Sequence, residues 1–284
     1  MVIRLNSLAP SVATLHEDDI NSSPPSHCSV DSSPASRPYL RGSDLTKSFG
    51  HVRALHNVNV EIREGEVLAI VGDNGAGKST LTKILSGVIQ PDHGGIFIRE
   101  EKVRLRGAAA AQSHGIVTVF QTLALVNCRD VASNLLLGRE PTIGHIFIDR
   151  ARMRRESFAA LKEVGVHIPS LGVEVGELSG GQRQCIAIAR ATSQNGSIII
   201  MDEPTAALGV KESGRVLDLI LHLRSIGRGV IIISHNMQHV FSVADRIMVL
   251  RRGTVAGLRL KVLTTPEEIV GLIVGARATG TEIT

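Results

Sequence analysis

The segment GDNGAGKS, residues 72–79, constrains the fold of this chain more than any other feature. It follows the apolar run EVLAIV and leads into a helix predicted from Lys78 to about Val88. The pattern GxxxxGK[ST] requires this order, because its glycines let backbone N–H groups curl around an anion at a helix N-terminus. We therefore predict a phosphate-binding loop, with Lys78 on the β- and γ-phosphates of a nucleotide and the Ser79 hydroxyl on Mg²⁺.

Apolar runs recur between helical segments along the rest of the chain. GIVTVFQ ends at Gln121, SIIIMDE at Glu203 and GVIIISH at His235. Runs without polar alternation are typical of strands covered on both faces, so we predict an α/β domain built on a largely parallel sheet. The earlier segment NVNVEIREGE alternates instead, with Val58 and Ile62 on one face, which predicts a half-buried strand.

Composition divides the chain into two tails and one domain, which contains a subdomain. Residues 1–38 are rich in Ser and Pro and predict a disordered tail, and residues 276–284 form a second tail. The domain covers residues 39–275, and a polar, charged stretch predicts a helical subdomain over about residues 128–190. Three dispersed cysteines form no metal-ligand or disulfide pattern, and we expect the Cys185 thiol to be buried.

Polar residues stand at the ends of the three apolar runs. The carboxyl ends of parallel strands meet at one edge, where ligands of open α/β sheets bind. Asp202 is placed to hold the Mg²⁺ that Ser79 contacts, and Glu203 is placed to polarise an attacking water. Gln121 and His235 reach the same edge, although single residues of these types often only cap a strand.

A second glycine motif, LSGGQ, occupies residues 178–182. Ser179 is a helix cap, and Gly180 and Gly181 leave N–H groups uncovered ahead of the helix QRQCIAIARA. The segment is a second predicted anion site.

In this order the phosphate loop, Gln121, LSGGQ, IIIMDEP and ISH resemble the motifs of ATP-binding cassette ATPases over about residues 39–275. The resemblance implies a P-loop NTPase with a largely parallel core sheet, an antiparallel β part and an inserted helical subdomain. It also implies ATP and Mg²⁺ as cofactors. The implied nucleotide contacts are Phe49, which stacks on adenine, with Gly72, Asp73, Asn74, Gly75, Ala76, Gly77, Lys78, Ser79, Thr80, Ser179, Gly180, Gly181 and Gln182. The implied Mg²⁺ ligands are Ser79, Gln121 and Asp202.

The same resemblance implies how the two glycine motifs cooperate. In this family two cassettes pack head to tail, and each LSGGQ closes over ATP held by the other copy. Ser179 and Gly181 are then expected on the γ-phosphate in trans. Glu203 is implied as the general base and His235 as the switch residue. Gln121 is implied as the sensor between Mg²⁺ and the membrane partner.

The chain departs from the family at Gly209, where many members carry an Asp that communicates across the dimer. AALGVKES, FQTLALV and ISHNMQHVF are nevertheless similar to fructose- and ribose-type monosaccharide importers. The resemblance implies an ATPase at the cytoplasmic face of the membrane. Its implied partners are a second copy, an integral permease and, indirectly, an extracytoplasmic sugar-binding protein.

Two other functions stay open at this point. One is a soluble cassette ATPase acting on nucleic acid or the ribosome, with the arginines of 150–155 on phosphates. A net charge of +4 is too mild to imply DNA, and these arginines also fit a solvated helix face, so we expect no nucleic-acid partner. The other is a nucleotide-dependent regulator without turnover, which Gly209 leaves open and which Glu203 and His235 argue against.

Overall fold

A computed structural model of the protein describes residues 38–144, 146–194 and 196–275. The strands are β1 Leu40–Phe49, β2 Val52–Ile62, β3 Val67–Val71, β4 His93–Ile98, β5 Glu101–Val103, β6 Ile116–Val119, β7 Thr142–Ile143, β8 Phe147–Ile148, β9 Ile198–Asp202, β10 Gly229–Ile233, β11 Arg246–Arg251 and β12 Thr254–Leu260. The α-helices are α1 Lys78–Leu85, α2 Ala108–Ser113, α3 Val131–Leu135, α4 Arg150–Glu163, α5 Gly180–Thr192, α6 Val210–Ser225, α7 Met237–Val243 and α8 Pro266–Val274.

The largest sheet has the order β12-β11-β3-β10-β9-β6. Every neighbouring pair is parallel except β11 and β12, so the predicted parallel core sheet is confirmed. Ile233 of β10 is in register with both Ile70 of β3 and Asp202 of β9. The three central strands therefore end level with one another, and the loops that follow them emerge at one edge.

Both faces of this sheet are covered by apolar side chains. Along β9, Ile198 and Ile200 belong to the apolar cluster that includes β1, β2 and α1, whereas Ile199 and Met201 belong to the cluster that includes α5 and α6. Successive strand residues point to opposite faces, so a strand between two layers must be apolar throughout. This explains why SIIIM shows no polar alternation.

A second, antiparallel sheet has the order β2-β1-β4-β5. Val58, Val60 and Ile62 of β2 are buried and Asn59 is exposed, as the alternation predicts. This sheet is the antiparallel β part that the family resemblance implies.

Between β6 and β9 the chain forms mainly helices. Asp130, Asp149 and Ser179 cap α3, α4 and α5, each accepting a backbone N–H of the first turn. The hairpin β7–β8, which the sequence does not predict, lies ahead of α4 with apolar side chains exposed. The subdomain boundaries of about 128–190 stay a prediction.

Several element ends differ from the prediction. Helix α1 ends at Leu85 rather than near Val88, because the Gly87 N–H bonds back to the Ile84 carbonyl in a tight last turn. Strands β6, β9 and β10 end one or two residues before Gln121, Glu203 and His235, which therefore lie in loops.

The two predicted tails, 1–38 and 276–284, lie outside the described residues except for Pro38. Within residues 38–144, 146–194 and 196–275, no helix has the length and hydrophobicity needed to span a bilayer.

Candidate active site

A cavity of about 530 Å³ opens at the carboxyl edge of the core sheet. We call it the phosphate-loop cavity. It is lined by Asn74, Gly75, Gly77, Lys78, Ser79 and Thr80 of the loop, by Gln121, Asp202, Glu203, Ile233 and His235 at strand ends, and by Val52, Arg53 and Ala54 of β2. The structure thus brings together all four predicted catalytic residues and the three predicted Mg²⁺ ligands.

The phosphate loop is held by backbone geometry that only glycine allows at its start. Gly72 has φ 150°, and a Cβ atom there would lie 2.1 Å from the carbonyl oxygen of Leu250. The Gly253 N–H donates to the Ala76 carbonyl at 3.0 Å, which ties the middle of the loop to the turn after β11. The loop is therefore anchored at both points before any ligand binds.

Lys78 lies along the loop. Its Nζ donates to the carbonyl oxygens of Gly72 at 2.6 Å and Asp73 at 2.9 Å. Burial lowers the pKa of this ammonium, and the negative charges of Glu203, Asp73 and Asp202 partly oppose that shift. A partly desolvated cation bound only to neutral carbonyls can exchange them for phosphate oxygens, which bind it more strongly.

Asp202 is the last residue of β9 and faces Lys78 across the cavity. Burial, and next the charge of Glu203, raise the pKa of this carboxyl, whereas Lys78 and Lys83 act in the opposite direction. A divalent cation beside Asp202 would stabilise the ionised carboxylate against both burial and the negative charge of Glu203.

The oxygen ligands around Asp202 suit Mg²⁺. No group of three or more His, Cys, Asp or Glu side chains in the described part of the chain could hold a metal. Mg²⁺ does not need one, because it keeps several waters and takes one or two carboxylates together with substrate phosphates. The Ser79 hydroxyl, the Gln121 amide oxygen and the Asp202 carboxylate supply oxygen ligands of this kind in one cavity.

Glu203 follows β9 in a left-handed backbone conformation, with φ 50°. Its N–H donates to the Ile233 carbonyl at 2.9 Å. Its carboxylate Oε1 lies 2.8 Å from Nδ1 of His235. The side chain of Glu203 is 17% exposed and that of His235 is 76% exposed. The carboxylate is therefore held by an imidazole that solvent, or a ligand, can reach.

Three groups of predicted residues lie outside this cavity lining. Gly72, Asp73 and Ala76 belong to the phosphate loop but do not line the cavity. Phe49 is half exposed at the end of β1, with the Lys47 ammonium 5.7 Å from its ring centre. Ser179, Gly180, Gly181 and Gln182 stand at the N-terminus of α5 and do not line the phosphate-loop cavity of their own chain. Their nucleotide contacts stay predictions.

The β2 side of the cavity is not predicted by the sequence. Val52 and Arg53 follow the β1–β2 turn and line the cavity. The Ala54 carbonyl oxygen lies against Gly77, where an added Cβ atom would be only 2.7 Å from it. These three residues lie about 20 positions before the phosphate loop in the sequence and have no pattern that indicates that they contact it. The contact arises only when β2 folds over α1.

Comparison with known proteins identifies the family that builds this site. The profile of the ABC transporter family matches residues 55–206. The fructose import ATP-binding protein FrcA of Rhizobium meliloti is 47% identical over 226 residues, which cover 77% of this chain and 87% of FrcA. This protein belongs to the ABC transporter family.

Other relatives in the family carry names of the same kind. The ribose import ATP-binding protein RbsA of Chromobacterium violaceum is 45% identical, and the galactose/methyl galactoside import ATP-binding protein MglA of Escherichia coli K12 is 40% identical. The matches cover 83% and 85% of this chain but only 46% and 48% of those proteins, so the chain spans about half their length.

Solved ABC cassettes share the fold. A nucleotide-free cassette superposes with a TM-score of 0.73 at 27% identity, covering 83% of this chain and 98% of the cassette. A dimeric cassette in a post-hydrolysis state, bound to ADP and Pi, gives 0.66 at 28% identity, covering 78% of this chain and 98% of the cassette. These comparisons confirm the predicted ABC-type fold.

Gly209, where this ABC chain lacks the Asp of many members, caps the N-terminus of α6. Its φ of −68° and ψ of 166° are ordinary extended values. A Cβ added there would meet only the Glu212 carboxylate, at 3.8 Å. The backbone therefore does not require glycine at this position.

Proposed function

We propose that this protein is the ATP-hydrolysing subunit of an ABC importer that moves a monosaccharide through a separate membrane permease. The observation that carries the proposal is the phosphate-loop cavity, where Lys78, Asp202, Glu203 and His235 converge. The sugar class rests on the relatives, whose names specify fructose, ribose and galactose import.

The residues around the cavity suit hydrolysis of a terminal phosphate. Backbone N–H groups of the loop and the Lys78 ammonium bind the phosphates. Glu203 accepts a proton from the attacking water as the new O–P bond forms and the bond to ADP breaks. His235, 2.8 Å from Glu203, fixes the orientation of that carboxylate. Mg²⁺, bound by Ser79, Gln121 and Asp202, would neutralise charge on the phosphate oxygens.

Two copies are needed to complete the site in this proposal. The LSGGQ segment lies away from the phosphate-loop cavity of its own chain, so its donors do not contact a phosphate bound in that chain. The solved dimeric cassette supports an assembly of two chains. We expect head-to-tail packing, with Ser179 and Gly181 over the partner's ATP and with Phe49 beside the adenine.

An exposed apolar surface supports a permease partner at the cytoplasmic face of the membrane. Ile146 and Phe147 on the β7–β8 hairpin are 78% and 73% exposed, and Phe158 on α4 is 63% exposed. Exposed apolar surfaces of this kind mark contacts with other proteins or with membranes. A binding protein outside the membrane would then deliver the sugar to the permease.

Phosphate release from ATP and Mg²⁺ tests the activity directly. Lys78→Ala removes the cation of the loop and should abolish ATP binding and turnover. Lys102→Ala, an exposed lysine of β5 outside the cavity, is the matched control and should behave as the wild type. Undiminished ATP binding by Lys78→Ala would contradict the proposed site.

Uptake of labelled sugars tests the transport role. Cells that carry the permease should take up a monosaccharide such as fructose or ribose with the wild-type chain and not with Lys78→Ala. Equal uptake with both would separate this ATPase from sugar import.

A further inference from the structure

Glu212 lies at the third position of α6, close to the turn that follows Glu203. Its Oε2 accepts the Gly209 N–H at 3.3 Å, which caps the start of the helix. Capping of this kind is the usual role of a glutamate at the third position of a helix.

The same carboxylate also reaches the N-terminus of α5. It lies beside two donors there, the Ser179 hydroxyl and the Gly181 N–H. The Ser179 oxygen meanwhile accepts the Gln182 N–H at 3.3 Å, so its own hydrogen is free to be donated to Glu212. An acidic side chain of the same chain thus stands beside two donors of the LSGGQ segment.

Gly181 allows this approach. A Cβ on Gly181 would lie 2.8 Å from the Glu212 Cβ and 3.4 Å from its Cα. Any larger residue would push α6 away from the mouth of α5. The glycine whose N–H is predicted to bind a phosphate therefore also admits the carboxylate.

The Glu212 carboxylate therefore lies at a helix N-terminus that is suited to bind an anion. A hydroxyl and a backbone N–H at the start of a 13-residue helix bind negative charge, and the helix dipole adds to that attraction. The nearby Ser179 hydroxyl and, next, the Gly209 N–H lower the pKa of Glu212, so the form beside these donors is the carboxylate.

We propose that Glu212 is a positioning residue of the LSGGQ segment. Its carboxylate holds the donors of Ser179 and Gly181 in one chain until the γ-phosphate of ATP on a partner copy displaces it. The inference rests on the proposed function, because the displacing phosphate belongs to the head-to-tail dimer.

Replacement of the Glu212 carboxylate by the γ-phosphate requires the carboxylate to leave the two donors. A carboxylate and a γ-phosphate cannot share two donors, since both are negative and both need the same hydrogens. On displacement Glu212 keeps its bond to Gly209 and the nearby positive charge of Arg215, one turn further along α6. The carboxylate therefore opposes closure moderately and does not block it.

Glu212→Gln separates this role from helix capping. Glutamine can still accept the Gly209 N–H, as it does in many capping boxes, but it carries no charge to compete with phosphate. Asp218→Asn removes an exposed carboxylate from the same helix and is the matched control. Melting temperatures of both variants should stay near that of the wild type.

The experiment measures ATP-dependent dimer formation of the Glu203→Gln variant. Sedimentation in the presence of ATP and Mg²⁺ monitors the association. Adding Glu212→Gln should lower the ATP concentration for half-maximal dimer by roughly 3- to 10-fold, the range expected for losing one charge-assisted competitor. Adding Asp218→Asn should leave that midpoint unchanged.

Two other results would overturn the inference in different ways. An unchanged or higher midpoint with Glu212→Gln, in a parent that does associate, would leave the proposed function intact and reduce Glu212 to a helix cap. A Glu203→Gln parent that binds ATP yet stays monomeric would overturn the proposed dimer, and the displacement with it.

Discussion

Glu203 is an acidic residue in a conformation that side chains usually avoid. A φ of 50° outside glycine costs on the order of 1 kcal/mol or more. The cost is offset where the Ile233 carbonyl binds its N–H and His235 binds its carboxylate. Asp202 and Glu203 point in different directions because the strand ends at Asp202 and the backbone then turns.

Glu203→Gln tests the base at this residue. Glutamine keeps the size of the side chain but cannot accept the proton of water, so phosphate release should fall about 100- to 10,000-fold while ATP binding persists. Turnover and nucleotide binding should be measured on the same preparation. Wild-type turnover in this variant would show that another group is the base.

Gly72→Ala and Gly75→Ala form a matched pair in the phosphate loop. Both positions have positive φ, but only a Cβ at Gly72 meets backbone, the Leu250 carbonyl at 2.1 Å, whereas Gly75 has open space. We expect Gly75→Ala to lower the free energy of unfolding by about 1 kcal/mol and Gly72→Ala by several times as much, with ATP binding lost. Denaturant titration measures both; equal losses would mean that the loop shifts to accept either side chain.

Asp202→Asn should separate stability from function. Burial raises the pKa of Asp202, so its ionised form destabilises the nucleotide-free protein. The wild type should gain relative stability as pH falls through that raised pKa and the carboxyl becomes neutral. The variant should therefore melt at a higher temperature at pH 7, and the gain should shrink in acid. A lower melting temperature at pH 7 would mean that the attraction to Lys78 outweighs burial.

At the scale of elements, the loop after β6 is organised by Asn134 of α3. Its side chain is fully buried and accepts the Val126 N–H at 2.8 Å. It donates to the carbonyls of Val126, Arg129 and Asp130. Since Gln121 lies on the same loop, Asn134 fixes the chain between a predicted Mg²⁺ ligand and the helices.

Asn134→Ala should remove that support. Four backbone groups would lose a hydrogen bond, although the three carbonyls each keep a backbone N–H donor. We expect a cost of about 2–4 kcal/mol, or roughly 4–16 °C in melting temperature for a chain of this size. Asn127→Ala, an exposed side chain on the same loop, is the control and should change little. Calorimetry checks both, and comparable melting of the two variants would dismiss the network.

Sequence patterns predicted the elements that have a period or a motif. The apolar runs of β3, β9 and β10 and the alternation of β2 follow directly from burial on two faces or on one. The β7–β8 hairpin escaped prediction because its strands have two residues each and bury no side chain. Asn134 escaped because a buried amide looks like any polar helix residue until its partners are placed.

At the scale of the whole molecule, the order of motifs predicted one edge with Lys78, Gln121, Asp202 and His235, and the structure places them around one cavity. The contribution of Val52 and Arg53 could not be predicted, since it depends on how the antiparallel sheet packs on α1. Neither could the contact between Glu212 and the LSGGQ segment, which joins two helix starts 30 residues apart.

The central claim is that one chain holds only half of a working reaction centre. Its phosphate-loop cavity lacks the LSGGQ donors, which stand elsewhere in the same chain. The most direct test is turnover per molecule of the purified protein, measured across a wide range of protein concentrations at saturating ATP and Mg²⁺. We predict that turnover per molecule falls as the protein is diluted and copies separate. A constant value down to concentrations at which sedimentation detects only single chains would contradict the account.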